Sequence, residues 1–144
     1  MKALTVLQPW AHAIAHLGKR LENRTWSFPP SLRDQVIAIH AGARSSLDVE
    51  ALDFIADDLG LDRNQVLEAM SFGSVVAVAK LAGILRKRPA GPQARWWAGP
   101  LAWDLYEVVT LPSPVPCRGM QGLWSLPEDV FEAVVEQWSK GDER

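Results

Sequence analysis

Two kinds of hydrophobic pattern run along this chain, and their order predicts its secondary structure. Continuous or alternating runs of Val, Ile, Leu and aromatic residues predict five strands, at residues 3–7, about 20–26, 35–41, 74–86 and 101–111. Clusters of proline and glycine mark the loops between these strands, among them residues 88–92 and 112–116.

Apolar residues at helical spacing lie between and after these strands. They predict a first helix from Pro9 to Gly18, a helix over 46–59, a short helix from Asp62 to about Met70, and a last helix within the acidic segment 127–144. This order predicts an α+β fold, a small mixed β-barrel of five or six strands. Helices are expected to cover its openings, with a helical insertion at about 46–70 after the third strand.

Composition narrows the class of protein. The 144 residues are 48% apolar and 22% charged, which is typical of one soluble globular domain spanning residues 1–144. No apolar stretch reaches the ~18 residues of a membrane span, and the N-terminus lacks the pattern of a signal peptide. We therefore expect a cytoplasmic protein that does not contact membranes, and nothing in the sequence demands more than a monomer.

Motifs that are absent exclude several kinds of chemistry. The single cysteine, Cys117, cannot form an intrachain disulfide or a cysteine-rich zinc site. The sequence contains no GxGxxG or P-loop motif, which argues against binding sites for dinucleotides and nucleoside triphosphates. It also lacks HExxH and GxSxG, which argues against a zinc-protease site and against the nucleophile elbow of an α/β-hydrolase. We therefore expect neither a metal nor a cofactor.

The net charge of −2 conceals a strong segregation of charge. Residues 1–44 and 71–102, which hold most predicted strands, carry a combined charge of +9, whereas the excess acid lies in 48–68 and 127–144. The barrel is therefore predicted to be basic. The acidic helices and tail are predicted to face away from any cleft that it forms.

Residues 18–26 alternate in a way that a core strand would not. Period-2 alternation places three charged residues and a tryptophan on one face, namely Arg20, Glu22, Arg24 and Trp26. Such a face forms either a solvated ladder of ion pairs or the lining of a polar cavity, in which two guanidinium groups flank Glu22.

The three histidines have different patterns. His40 lies within an apolar strand, where a hydrogen-bonded core histidine is the simplest interpretation. His12 and His16 are one helical turn apart, a spacing that can hold a metal ion. Because no neighbouring Cys or Glu completes such a site, we interpret them as a solvent-facing pair.

Seven tryptophans are the most unusual feature of the composition. Trp96 and Trp97 are adjacent in a loop with several basic residues, including Arg95, so both cannot point inward along one face. They either offer a stacking surface for the bases of a single strand or fold over the core. Near the C-terminus, Gly119 and Gly122 bracket Met120 and Gln121, which is typical either of a close backbone approach to a ligand or of a plain turn.

Three segments form a set of motifs at characteristic separations: residues 4–11 (LTVLQPWA), 18–26 (GKRLENRTW) and 39–41 (IHA). Together they resemble the ASCH domain (activating signal cointegrator homology), a branch of the PUA-like superfamily, and residues 99–103 and 119–124 are similar to its C-terminal strands. The resemblance covers most of the chain outside the insertion and the acidic tail. It implies a PUA-like β-barrel with a cleft, between barrel and helices, that binds RNA, DNA or modified nucleosides.

The resemblance also implies which residues form that cleft. Its helical edge would comprise Gln8, Pro9 and Trp10. Its floor would comprise Lys19, Glu22 and Arg24, with His40, Trp103 and Gln121 nearby. To these the residue patterns add five ligand-binding candidates: Arg20, Trp26, Arg95, Trp96 and Trp97.

Three functions are consistent with these residues. The first is a module that binds nucleic acid, chiefly single-stranded RNA, or a modified nucleoside, by attracting phosphate and stacking bases on tryptophan. The second is an enzyme in the same cleft, with Lys19 as base or nucleophile activator and Glu22 as its partner. It would be an amidohydrolase for N4-acetylcytidine or a metal-independent ribonuclease; the amidohydrolase branch of the family has a Lys-x-x-Thr-x-Arg segment, in which Glu22 replaces the threonine here. The third is a protein-interaction adaptor that uses the acidic helix 46–59.

Overall fold

The computed structural model describes residues 1–142, and its elements follow one another in the predicted order. The strands are β1 (Lys2–Val6), β2 (Leu21–Arg24), β3 (Val36–Ala41), β4 (Ser74–Leu85), β5 (Leu101–Pro116) and β6 (Leu123–Ser125). The α-helices are α1 (Trp10–His16), α2 (Val49–Leu59), α3 (Arg63–Ala69) and α4 (Glu128–Asp142). Short 3-10 helices occupy Pro30–Leu32, Arg44–Ser46 and Gly91–Trp96.

The six strands form one mixed sheet in the order β2-β5-β4-β3-β1-β6. Only β1 and β3 run parallel; the other neighbouring pairs are antiparallel. Register shifts between β4 and β5 interrupt the ladder at three places, and bulges of this kind increase local bending and twist. The sheet curls into a half-barrel, which confirms the predicted α+β fold with a barrel-like sheet.

The curl brings together two strands that are far apart in the sheet order. The Arg24 guanidinium on β2 donates a hydrogen bond of 2.8 Å to the carbonyl oxygen of Thr5 on β1. Between these strands the half-barrel stays open, and the cleft described below lies along this open side.

Apolar side chains fill the space on both faces of the sheet. The concave face packs against α1 in a cluster that includes Leu4, Ile14, Ile37, Leu81 and Trp103. The other face packs against α4 in a cluster that includes Ala3, Val78, Trp124, Val130 and Val134. Alternation of side chains along each strand supplies both clusters at once, as expected for a sheet covered on two faces.

The helical insertion after the third strand is present as predicted. The Asp48 carboxylate accepts a hydrogen bond from the Ala51 amide at the start of α2, and Asp62 does the same for the Gln65 amide in α3. Between them Gly60, with φ of +66°, ends α2 in a left-handed turn. The two helices therefore form a compact hairpin over the barrel edge.

The predicted loop at residues 112–116 is wrong, because β5 continues to Pro116. Val115 and Pro116 pair with Val75 and Ser74, and the intervening prolines lie in a bulge of β5 between Thr110 and Val115. Their missing amide protons cost little there. The Gln137 side chain of α4 completes the strand by exchanging hydrogen bonds with the backbone of Ser113, at 2.9 and 2.7 Å.

The acidic segment predicted at 127–144 forms α4, and residues 143–144 lie outside the described residues. Phe131 donates its amide to the Pro127 carbonyl at the first turn. None of the helices within residues 1–142 combines the length and apolar character needed to cross a bilayer.

Candidate functional site

A cleft of about 820 Å³ lies along the open side of the half-barrel. Nine residues predicted from the sequence line it: Trp10, Lys19, Glu22, Arg24, Trp26, Arg95, Trp96, Trp97 and Gln121. They come from α1, β2, the segment around residue 96 and the loop before β6. The charged face of β2 therefore lines a cavity and is not a solvated ladder.

The end of α1 places Lys19 on the floor of the cleft. Gly18 has φ of +79°, a left-handed conformation in which a side chain would be strained. This turn lets the amides of Leu17 and Lys19 both donate to the Ala13 carbonyl, at 3.0 and 3.1 Å. The chain then reverses into β2 with the Lys19 side chain buried below Trp10, whose ring centroid is 5.3 Å from Nζ.

The floor is a buried cluster of three charged side chains. Lys19 Nζ lies 3.0 Å from Glu22 Oε1, and Arg24 Nη2 lies 3.0 Å from Glu22 Oε2. The lysine side chain is 1% exposed, the glutamate 9% and the arginine 23%. Each carboxylate oxygen therefore contacts one cation, and the single negative charge of Glu22 leaves the cluster with one net positive charge.

Arg24 is the member of this cluster with unused hydrogen-bonding capacity. Its Nη2 donates to the Thr5 carbonyl and forms an ion pair with Glu22. Its Nε is buried and is the one buried side-chain nitrogen or oxygen without a partner within residues 1–142. Buried donors are almost always paired, so this guanidinium favours a ligand with an acceptor oxygen.

Two amide side chains hold the aromatic segment against β2. Asn23 donates to the Trp96 carbonyl at 2.9 Å and accepts from the amides of Ala98 and Gly99. Gln93 accepts from the Arg20 amide at 2.8 Å and donates to the Gly18 carbonyl. The wall that carries Arg95, Trp96 and Trp97 is thereby fixed in position.

Exposed apolar side chains surround the mouth of the cleft. Four of the seven large hydrophobic residues that stay exposed within the described chain lie here: Leu7, Trp26, Phe54 and Met120, at 47%, 37%, 59% and 57%. Clustered exposure of this kind is typical of ligand sites.

His40 fixes the loop that forms the wall opposite β2. Its Nε2 is 2.7 Å from the Cys117 carbonyl, so Nε2 carries the proton, and Nδ1 accepts from the Thr5 hydroxyl at 3.2 Å. That hydroxyl in turn accepts from the Trp124 indole, also at 3.2 Å. Burial lowers the pKa of His40, although its hydrogen bond to Cys117 opposes the shift. Gly119 packs directly on the imidazole, where a Cβ would lie 2.6 Å from Cε1.

Five of the predicted binding residues lie outside the cleft lining: Gln8, Pro9, Arg20, His40 and Trp103. Pro9 is buried before α1, and the buried Gln8 side chain joins the His12 amide to the Ser71 carbonyl. Trp103 has no exposed surface, and its indole donates to the Trp26 carbonyl. It cannot stack a base because apolar side chains, Phe28 among them, surround its ring.

The expectation that two guanidinium groups flank Glu22 is also wrong. Arg20 precedes β2, and its guanidinium donates to the carbonyls of Ile14 and Lys19. The Lys19 ammonium takes its place beside Glu22. The strand alternation holds only from Leu21, where β2 begins, so it could not identify the partner.

The interpretation of His12 and His16 as a solvent-facing pair is wrong for His12. His16 is exposed, but His12 is 7% exposed. Ala69, at the end of α3, and Ser71, just after it, lie over this side of α1. Burial, and to a smaller extent repulsion from His16, lower the pKa of His12 from 6.5 to about 4.

The acidic insertion does not face away from the cleft as predicted. Phe54 of α2 lines the mouth, and Asp58 of α2 lies 3.7 Å from Arg95. No acidic residue other than Glu22 lines the cleft within the described chain. The adaptor hypothesis for this helix stays a prediction.

Seven lining residues were not predicted: Thr5, Leu7, Asn23, Phe54, Ala98, Met120 and Gly122. The apolar ones carry no chemical signal, since a sequence pattern assigns Leu7 and Phe54 to the core. Asn23 lies inside the motif at 18–26, and Met120 lies between Gly119 and Gly122. Their positions within these two motifs are the sequence signal that could have identified them as lining residues.

Comparison with known proteins bears on the fold. No family model matches the sequence, and no curated protein matches it. The ASCH protein from Zymomonas mobilis has a similar structure, with a TM-score of 0.56 and 15% identity over 94% of this chain and 93% of that chain. Its serine-to-alanine variant gives a TM-score of 0.53 at 16% identity, over 94% of both chains. Its tyrosine-to-phenylalanine variant gives 0.54 at 15%, over 94% of this chain and 96% of that chain. The ASCH resemblance of the sequence motifs is thus confirmed at the level of the fold, and this chain has the fold of an ASCH domain.

Proposed function

We propose that this protein is an ASCH-type module whose cleft binds single-stranded RNA or a modified nucleoside. The observation that carries the proposal is the meeting of cationic and aromatic side chains in one cleft. Lys19, Arg24 and Arg95 bring three positive charges, against the single carboxylate of Glu22. Cations that hold phosphate beside planes that stack bases are the combination used by single-strand binding proteins.

The shape of the cleft indicates how such a ligand would enter. Its volume of about 820 Å³ is within the ~300–1,000 Å³ usual for small-molecule sites, so it has room for one nucleoside. The base would stack against the indole of Trp26 or Trp97, which both line the cleft, with its polar edge towards the floor. The phosphates would stay at the mouth beside Arg95, whose side chain is 46% exposed.

The electrostatic part of the proposal is tested with two surface arginines. Arg95→Gln removes a cation from the mouth, whereas Arg63→Gln removes one from α3, outside the cleft; both arginines contact an aspartate of α2. In titrations of fluorescent single-stranded RNA at several salt concentrations, Arg95→Gln should weaken binding and reduce the slope of log K against log salt by about 0.7. Arg63→Gln should change neither. Equal effects of both variants would contradict phosphate binding at the mouth.

The stacking part is tested with two half-buried tryptophans. Trp97→Leu keeps apolar bulk in the wall but removes the aromatic plane, and Trp138→Leu makes the same change against α4. Since one base stack contributes ~1–3 kcal/mol, Trp97→Leu should weaken RNA binding by about tenfold or more, and Trp138→Leu should not. Unchanged affinity for both would refute stacking on this wall. Parallel titrations with cytidine and N4-acetylcytidine determine whether a free nucleoside is sufficient.

The buried contact between Lys19 and Glu22 favours a second candidate, a hydrolase in the same cleft. Lys19 could act as a base for attack on an acyl group or on a ribose-linked phosphate once its ammonium has passed a proton to its partner, the Glu22 carboxylate. We would incubate the protein with N4-acetylcytidine and with single-stranded RNA in EDTA and look for product. Turnover that Lys19→Ala abolishes, in a variant with unchanged circular dichroism, would support the enzyme; turnover that persists would eliminate this assignment.

A further inference from the structure

A second cavity, of about 190 Å³, lies on the opposite side of α1 from the cleft. It shares no lining residue with the cleft, because positions 12 and 16 of α1 face away from Trp10. Its lining includes both histidines of the helix, the Gln8 side chain, and Ser71. Any ligand of this cavity is therefore independent of the proposed RNA site.

His12 is a largely buried side chain whose imidazole ring forms no hydrogen bond with the described part of the protein. It is 7% exposed. Because Arg24 Nε is the one fully buried side-chain nitrogen or oxygen without a partner among the described residues, the ring nitrogens of His12 are open to the cavity. Its backbone amide is held by Gln8, which fixes this turn of the helix.

The ring separation matches what shared coordination requires. An ion bound ~2.0–2.1 Å from a ring nitrogen lies roughly 3.2 Å from that ring's centroid, so two imidazoles at 90–110° around it have centroids about 4.5–5.2 Å apart. The centroids of His12 and His16 are 4.8 Å apart. Residues 1–142 contain no group of three or more His, Cys, Asp or Glu placed to hold a metal, so these two would be the only protein ligands of those types.

We propose that His12 and His16 bind a divalent transition metal ion of the Zn²⁺ class in this cavity, with water completing the coordination. The proposal rests on the one-turn spacing of the two histidines, on the separation of their ring centroids, and on the absence of a hydrogen-bond partner for the His12 ring. Imidazole nitrogen is a preferred ligand of zinc, copper and nickel. The ion would stabilise α1, since it joins two turns of the helix.

The test is calorimetric titration of the untagged 144-residue chain, stripped with EDTA, with Zn²⁺ alone. We expect saturable binding of one equivalent. His16→Gln, an exposed position where folding is not at risk, should weaken it by at least about tenfold. His40 cannot compete because both of its ring nitrogens are hydrogen-bonded, and Cys117→Ser should leave binding unchanged.

NMR signals of the imidazole rings of the three histidines provide a second measurement of zinc binding. Zn²⁺ should shift the signals of His12 and His16 and leave those of His40 unchanged. Absence of saturable binding, equal affinity in His16→Gln, or loss of binding in Cys117→Ser would each overturn the proposal. RNA titrations performed in EDTA keep this result separate from that of the cleft.

Discussion

Removal of the Glu22 charge tests the description of the cleft floor most directly. Glu22→Gln keeps the shape of the side chain and one acceptor oxygen, but it leaves the Lys19 ammonium, 1% exposed, without a counter-charge. Breaking a buried ion pair by removing one partner costs ~3–5 kcal/mol, because the remaining charge stays desolvated. We expect about 3 kcal/mol, since the amide oxygen can still accept a hydrogen bond from Lys19. Arg24 contributes less to the loss because it is partly solvated and also bonds Thr5.

Urea denaturation followed by tryptophan fluorescence measures this loss as a change in the free energy of unfolding. A double-mutant cycle with Lys19→Met identifies its source. If the unpaired ammonium causes the loss, Glu22→Gln should cost much less when Lys19 is already methionine, with a coupling energy of about 2 kcal/mol.

A matched control separates burial from the chemical change. Glu136→Gln makes the same substitution in the Lys140–Glu136 pair, whose side chains are 67% and 68% exposed. We expect this variant to lose less than about 0.5 kcal/mol. A loss below about 1 kcal/mol for Glu22→Gln, or additive effects of Glu22→Gln and Lys19→Met, would refute the description of the floor as a buried, mutually dependent cluster.

Two further predictions concern stability. Because the pKa of His12 is about 4 in the folded state and 6.5 in the unfolded state, the unfolded chain binds the proton first, and stability falls as the pH falls from 6.5 towards 4. The full pKa shift corresponds to roughly 3 kcal/mol of unfolding free energy, which solvent near the ring reduces to about 2. In urea denaturation performed in EDTA, His12→Leu should lose this part of the pH dependence. An unchanged pH profile would contradict the description of His12 as a buried, neutral imidazole. Gly119→Ala should cost about 1–3 kcal/mol in thermal unfolding, since its Cβ would lie 2.6 Å from the buried His40. Gly83→Ala, whose Cβ would meet nothing closer than 3.9 Å, is the control, and equal losses in the two variants would refute the packing argument.

Local patterns predicted the elements of this fold well because each pattern reports on burial of its own segment. The insertion was predicted from helical spacing and from Asp62 with Gln65, and the Asp62 cap is present. The failure at residues 112–116 has a long-range cause. Prolines ordinarily end a strand, but here a bulge accommodates them and Gln137, from a distant helix, completes the hydrogen bonding. No local signal reports such a partner.

The candidate site could be predicted in part for the same reason. Alternation along β2 found Glu22 and Arg24 because both residues lie within one strand. It could not choose between Lys19 and Arg20 as the partner, since both residues precede Leu21, where β2 begins. The number of tryptophans did not indicate which of them are buried, because every tryptophan is apolar enough for the core.

Charge pairing in the cleft bears on how the proposed ligand would be held. Glu22 neutralises part of the floor, and Asp58 lies 3.7 Å from Arg95 at the mouth, so the attraction for phosphate is weaker than the segregated charges of the sequence suggest. The exposed apolar rim, including Phe54 from the acidic helix itself, offers the larger share of contact. We therefore expect the base to contribute more affinity than the backbone, with a salt dependence closer to one phosphate contact than to several. In the proposed complex the acidic insertion would contribute Phe54 to the mouth of the cleft, and Asp58 would offset part of the charge of Arg95.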